Sequence, residues 1–155
     1  MNNIMVIKQH IPTLTDDALD KVQQVEDIIA QAPQMELTTT HTIHDGVYTR
    51  TILLPAGYIL TGVLLKVPTT LIINGDCLVY TGTNDDGLHI QGYQVFVGEA
   101  GRKQIFMAHE DTWLTMILST QETNLEDIEK YFTDEYDKLA SHRDTSKNIL
   151  IVTGE

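Results

Sequence analysis

Six histidines, one cysteine and a few cations are the groups in this 155-residue chain best suited to chemistry. His41 and His44 stand three apart in a β-forming run. Strand alternation sends such a pair to opposite faces, the wrong spacing for joint chelation. His89 and His109 sit on later segments and approach His41 or His44 only if the sheet rolls up. Satisfied or exposed histidines are the expected state, and a histidine-based metal site is the alternative. Arg50 lies in Tyr48-Thr49-Arg50, and Arg102-Lys103 follow a glycine turn. Converging at one barrel mouth, these three cations would bind a carboxylate or phosphate. The competing reading pairs Arg50 with Asp45, Glu99 or Glu110 as a structural ion pair. Lys66, after Leu64-Leu65, is either a cavity amine or an edge-strand charge, the commoner use.

Nucleophiles are poorly supported. Cys77 follows Asn74-Gly75-Asp76 with no adjacent base or cation to activate it, so it reads as a small packing residue. Ser119, Ser141 and Ser146 lie in no Gly-x-Ser-x-Gly elbow. Asp85-Asp86 resembles half of a Ca²⁺ loop that nothing completes, and turn solvation explains the pair. No glycine-rich phosphate loop is present. Trp113, between Thr112 and Leu114, reads as a core or interface aromatic.

The elements that must position these groups fall into three regions. In residues 1–36, Leu19, Val22, Val25 and Ile28, widened by Ile29, predict an amphipathic helix over 15–31. Thr13 or Thr15 caps it, Asp16 and Asp17 favour its positive end, and Pro33 stops it. Residues 37–120 lose helical periodicity. Strands are expected near 38–44, 47–54, 58–65, 69–74, 76–81, 87–90, 93–97, 103–108 and 112–119, with turns at Asp45-Gly46, Asn74-Gly75-Asp76 and similar punctuation. From residue 121 the helical pattern returns. Thr123-Asn124-Leu125-Glu126 fits a capping box, with Leu125, Ile128, Tyr131 and Phe132 on one face. A weaker helical turn is expected over 134–140, and Asn148-Ile149-Leu150-Ile151-Val152 predicts a strand added to a sheet of its own or a neighbouring subunit.

Acids outnumber bases 22 to 10, for a net charge of −12. That field repels nucleic-acid backbones and anionic membranes, so neither is an expected partner. No apolar run approaches the roughly 20 residues of a membrane span. The single cysteine excludes an internal disulfide, and Met1-Asn2-Asn3-Ile4 lacks a secretory n-region, so a cytoplasmic location is the expectation.

The segment His41-Thr42-Ile43-His44-Asp45-Gly46-Val47-Tyr48-Thr49-Arg50, followed by Leu54-Pro55-Ala56-Gly57 and Thr61-Gly62, resembles small cupin-like proteins common in phages and prophages. The likeness continues through Leu71-Ile72-Ile73-Asn74-Gly75-Asp76, Glu99-Ala100-Gly101-Arg102-Lys103, Glu110-Asp111-Thr112-Trp113 and Asn124-Leu125-Glu126-Asp127-Ile128-Glu129. It implies a double-stranded β-helix, a jelly-roll barrel, in a group whose functions are mostly uncharacterised. Cupin enzymes hold a metal inside the barrel with histidines and a glutamate from two motifs. Here the window Gly62–Gly75 contains no His, Glu, Asp or Cys. Leu65 stands where the group often has a histidine before the lysine, and Gln104 stands at the ligand position after the second glycine turn.

The expected fold is therefore mainly β, a cupin-like jelly-roll barrel flanked by an N-terminal and a C-terminal α-helix. Residues 1–36 form a helical arm, 37–120 the barrel, and 121–155 a helix and terminal strand. The expected function is a non-catalytic module acting through self-association or protein contact, as a homo-oligomer in a phage or prophage setting. It carries no cofactor, no metal and no catalytic residue. Helix 15–31 and strand 148–152 supply the apolar surface for association. The alternative is a small-molecule binder or enzyme using the barrel interior, with His41, Tyr48, Arg50, Lys66 and Arg102 as its polar lining, or with a non-standard metal site.

Overall fold

The computed structural model describes residues 9–82 and 87–153; the Asp85-Asp86 pair and the first eight residues lie outside them. The chain is mainly β. After β1 (His10–Ile11) and α1 (Asp16–Ile29) come β2 (Thr39–His44), β3 (Val47–Leu54), β4 (Ile59–Thr61), β5 (Thr69–Tyr80), β6 (Leu88–Gly98), β7 (Ile105–Ala108) and β8 (Thr112–Ser119). Then follow α2 (Leu125–Phe132), α3 (Ala140–Arg143) between two short 3₁₀ turns, and β9 (Asn148–Thr153).

Two strands expected to be broken run through. β5 replaces the expected pair 69–74 and 76–81, and β6 replaces 87–90 and 93–97. Asn74-Gly75-Asp76 is therefore not a hairpin turn. It is the point at which β5 passes from one neighbour to another: residues 70–74 pair with β8, and residues 77–80 pair with β7. β6 pairs antiparallel with β5 along its whole length. Two four-stranded faces result, β3–β8–β5–β6 and β4–β7–β5–β6, sharing the two long strands. This is the pairing of a jelly roll. The Asp45-Gly46 turn does form, with both residues at positive φ (47° and 77°), as a two-residue hairpin between β2 and β3 requires. Of the expected strand 58–65 only β4 is regular, and beyond it Leu65 makes an isolated bridge to Arg102.

Gly75 permits the changeover. A Cβ built there would lie 2.5 Å from Thr112 Oγ1 and 2.7 Å from the Asp111 carbonyl. The Thr112 hydroxyl uses that space, accepting from the Asp76 N–H at 3.1 Å and facing the Glu110 and Asp76 carbonyls. The inward alternation of β5, Leu71, Ile73, Cys77 and Val79, then supplies one continuous core with Leu54, Phe96, Phe106 and Leu114.

The helices bury faces slightly different from those read in the sequence. Thr15 caps α1 by accepting from the Ala18 N–H. Leu14, Ala18 and Val22, a four-residue spacing, pack on Tyr80 and Ile105, while Ile28 is exposed. The cap of α2 is Asn124 rather than Thr123, reciprocated by Asp127. Ile128 and Phe132 join Tyr48, Leu65 and Leu118 in a second core, and Tyr131 turns outward. β9 pairs parallel with β2 of its own chain. Among the described residues no helix is long and apolar enough to cross a membrane.

Gly75→Ala is expected to lower the unfolding free energy by about 1–3 kcal/mol, since backbone and a buried threonine must move to admit the methyl group. Gly62→Ala, whose added carbon meets the Gln104 carbonyl at an ordinary 3.6 Å, is the near-neutral control in urea denaturation.

Candidate functional site

The barrel opens into a pocket of about 590 Å³, which runs from the inward side chains Ile52, Leu71, Phe106, Leu114 and Met116 to an outer part lined by residues of α1 and of the segment 137–143, including Glu26, Asp27 and Asp137. It reaches the surface beside the exposed Met35, Tyr58 and Ile59. Its most deeply buried polar groups include Arg102 and Gln104, on the stretch leading into β7.

Arg102 is 1% exposed. Its side chain crosses Gly98, where a Cβ would collide with the guanidinium, so the glycine makes the burial possible. Nη1 donates to Gln104 Oε1 at 3.0 Å and Nη2 to Thr69 Oγ1. Arg102 Nε and Gln104 Nε2 are buried without a hydrogen-bond partner. Among the described residues no carboxylate forms an ion pair with Arg102. Burial pulls its pKa down to about 10, opposed by the more distant Glu99 carboxylate, and the group stays charged at neutral pH. A buried cation with so little compensating charge is costly, by several kcal/mol in general.

The other sequence-predicted site residues distribute differently. Arg50 also lines the cavity, but it is committed: Nη1 donates to Ser141 Oγ at 3.0 Å and faces Glu129 Oε2 and Tyr48 Oη at 3.4 Å. It thus makes the structural ion pair foreseen for it, with Glu129 in place of Asp45, Glu99 or Glu110. Tyr48, in the second core, and His41, stacked on it, lie outside the cavity wall. His41 Nδ1 is 2.6 Å from Tyr48 Oη, and its Nε2 lies 3.0 Å from Asn148 Oδ1. Asn148 in turn donates to the Ser141 carbonyl. Burial pushes the Tyr48 hydroxyl up and the His41 imidazole down to about 4, so neutral His41 donates through Nε2 and accepts the tyrosine proton at Nδ1.

Lys66 leaves the set altogether, pairing with Asp134 at 2.8 Å on the exterior. Lys103 does not converge with Arg102 either. Its ammonium is instead buried between Glu26 of α1 and Glu135. Cys77 is fully buried, and that burial raises its pKa to about 11, in keeping with a packing role. Trp113 is half exposed on the outer face of the sheet, not in the core.

The residues that sequence reasoning missed are Glu129, Ser141, Asn148 and Thr69. Gln104 enters the sequence reading only as the residue at the second metal-ligand position. The one available signal was Glu129 itself, an acid on the buried stripe of α2 one residue after Ile128.

The metal implied by the cupin resemblance does not fit this interior. Among the described residues no histidine or cysteine lines the cavity, Leu65 and Gln104 both do, and Arg102 places a fixed positive charge there. Instead, His89 and His109 meet each other and Asp76 on the outside of the barrel, away from His41 and His44, with ligand atoms within 4.8 Å of one another.

No protein-family model matches the chain, and no curated protein matches it. Solved structures similar to it include a cupin superfamily protein from Desulfitobacterium hafniense, at 12% identity over 59% of this chain and 84% of that one, with a TM-score of 0.46. KdgF from a Halomonas species is 13% identical over 59% and 86%, with a TM-score of 0.47. An RmlC-like cupin family protein with a double-stranded β-helix fold from Methanocaldococcus jannaschii is 11% identical over 57% and 84%, with a TM-score of 0.45. At these identities and scores the functional reading rests on the site's own geometry.

The low pKa of His41 has a consequence for stability. The unfolded chain takes up a proton at His41 near pH 6.5, whereas the folded chain resists it until about pH 4. Stability therefore falls as pH drops through that window. Urea unfolding across the window is expected to show a shallower pH dependence in His41→Gln than in the wild type.

Proposed function

We propose that this protein is a binding module that holds a small organic anion inside its barrel. The observation carrying the reading is Arg102, a buried guanidinium that forms no ion pair among the described residues, beside an amide with an unused donor. Guanidinium and amide match a carboxylate, and the apolar wall suits a hydrocarbon or aromatic body. The cavity is of the size that small-molecule sites usually have, roughly 300–1,000 Å³. Neither Arg102 nor Gln104 exchanges protons at neutral pH, so their chemistry is orientation and charge neutralisation rather than acid–base catalysis. Of the five residues first considered as lining, Arg102 is the anchor in this proposal and Arg50 a neighbour whose charge is already balanced.

Thermal denaturation with millimolar benzoate or octanoate tests it. Both carboxylates are expected to raise the melting temperature by several degrees, and benzyl alcohol to do so much less. Arg102→Met is expected to abolish the carboxylate shift. If no carboxylate stabilises the wild type, or if the variant responds equally, the reading fails.

Self-association, the other expected mode of action, draws support from a different surface than helix 15–31, whose buried face is already packed in its own chain. The outer side of β6, β5, β8, β3, β2 and β9 presents rows in register, Val95–Ile72–Thr115–Thr51–Thr40–Ile149 and Val97–Thr70–Ile117–Thr49–Thr42–Ile151. Tyr93 and Trp113 flank them. None of these residues is charged, in a chain carrying −12. Two copies of so acidic a protein repel wherever carboxylates meet, and this face lets them approach without such contacts. At normal strand spacing it covers roughly 500–600 Å² in plane, the order of one side of a standard interface. We therefore infer that the occupant is a second copy of this chain. Sedimentation at about tens of micromolar is expected to show a dimer that becomes monomeric in Val95→Glu/Ile117→Glu; a monomeric wild type overturns this reading. The phage or prophage setting stays with the motif resemblance, and gene neighbourhood tests it.

A further inference from the structure

Asp76, His89 and His109 come from β5, β6 and the turn between β7 and β8, and they meet on the solvent side of the sheet, outside the barrel cavity. His89 Nε2 is 2.6 Å and His109 Nδ1 3.3 Å from the same oxygen, Asp76 Oδ1. The two rings stand edge to face with centroids 5.5 Å apart. The second carboxylate oxygen faces Gln91 Nε2 at 3.4 Å.

The arrangement is held by backbone rather than by chance side-chain reach. The Asp76 carbonyl accepts the N–H groups of His109 and Glu110 at 2.9 and 3.2 Å, and the Thr112 hydroxyl bonds both the N–H and the carbonyl of Asp76. His89 is carried on the strand hydrogen-bonded to β5, one residue beyond the Cys77–Ile90 pair. The turn bearing His109 is thus pinned to the strand bearing Asp76, and the close approach at Gly75 keeps it there.

Both imidazoles are aimed at the same carboxylate oxygen, Oδ1, while Gln91 faces the other. The donor set is two imidazole nitrogens and one carboxylate oxygen. Such ligands suit Zn²⁺ and similar divalent transition metals better than Mg²⁺ or Ca²⁺, which favour all-oxygen shells. In a tetrahedral site with bonds of about 2.0–2.1 Å, neighbouring ligand atoms lie roughly 3.3 Å apart. The His109–Asp76 separation already has that value, and His89 has to withdraw by about 0.7 Å, a small rotation for a side chain 45% exposed. The partial exposure of both histidines leaves the fourth position to water. The negative field of the chain draws cations toward it.

We propose that Asp76, His89 and His109 form a surface site for one Zn²⁺-class ion, which clips the β7–β8 turn to β5 and β6. The ion sits apart from the barrel cavity, so this inference stands independently of the anion-binding reading.

Isothermal titration of the chelator-treated full chain with Zn²⁺ tests it. One saturable equivalent per chain is expected, together with a higher melting temperature. Altered second-shell partners alone typically cost 10–100-fold in metal affinity, so His89→Gln and His109→Gln are each expected to weaken binding by at least about tenfold. His10→Gln and His44→Gln are expected to leave it unchanged. Imidazole NMR signals of the wild type provide a measurement free of any folding defect in the variants: those of His89 and His109 are expected to shift with the first equivalent of Zn²⁺, ahead of the others. Absence of saturable binding overturns the proposal, as does binding that survives in both His89→Gln and His109→Gln. First-equivalent shifts confined to other histidines overturn it too.

Discussion

Everything in this molecule hangs on the contact between the Gly75 backbone and the Asp111–Thr112 backbone. A strand that must pair with β8 in its first half and β7 in its second has to pass the turn joining those two partners. The pass succeeds because nothing projects from Gly75 and because the Thr112 hydroxyl satisfies the polar groups exposed there. One consequence is the barrel, since β5 and β6 contribute to both faces. Another is the hollow between those faces. A third is the outer corner where Asp76 faces His89 and His109. Fold, cavity and surface cluster are thus three results of one close approach.

The buried charges sort by how completely they are answered. Arg50 faces Glu129, Ser141 and Tyr48, and the chain of contacts continues through His41 to Asn148, tying β2, β3, β9, α2 and α3 into a closed network. Lys103 lies between Glu26 and Glu135, with Lys138 outside them, so α1 and the segment after α2 are tied to the barrel through one ammonium. Among the described residues Arg102 hydrogen-bonds only neutral groups, Thr69 and Gln104. A buried network is rigid when complete and reactive toward ligands where it is not. That difference, more than the number of cations, separates the scaffold from the candidate site.

Charge also divides the exterior. The acids lie mostly on the helical regions, where water solvates them. The broad outer sheet is instead made of Thr, Val and Ile, with the Thr51 and Thr115 hydroxyls bonded to one another at 3.0 Å. Alternation explains how one strand serves both purposes. In β3, for instance, Tyr48 and Leu54 face inward while Thr49 and Thr51 face out. The same strands that wall the interior therefore build an uncharged outer patch without further sequence.

Much of this was legible in the residue order. The β-rich middle, the helix after Thr15, the Asp45-Gly46 hairpin, the terminal strand 148–152 and the lack of metal ligands at Leu65 and Gln104 all follow from periodicity, turn chemistry or motif, which are local. Sequence could not distinguish Gly75 as a hairpin turn from Gly75 as a point of passage, because the same glycine serves either and only the neighbouring chain decides. Nor could it say that Arg50 would be neutralised and Arg102 left open, that Lys66 would face out, or that His89 and His109 would meet at Asp76 rather than at His41. A charge's chemistry depends on what stands within a few ångströms of it, and those neighbours are contributed by segments up to about a hundred residues away, such as Asn148 beside His41. Local patterns determined the elements, while pairing across the sheet decided which polar groups are satisfied and which remain free to bind.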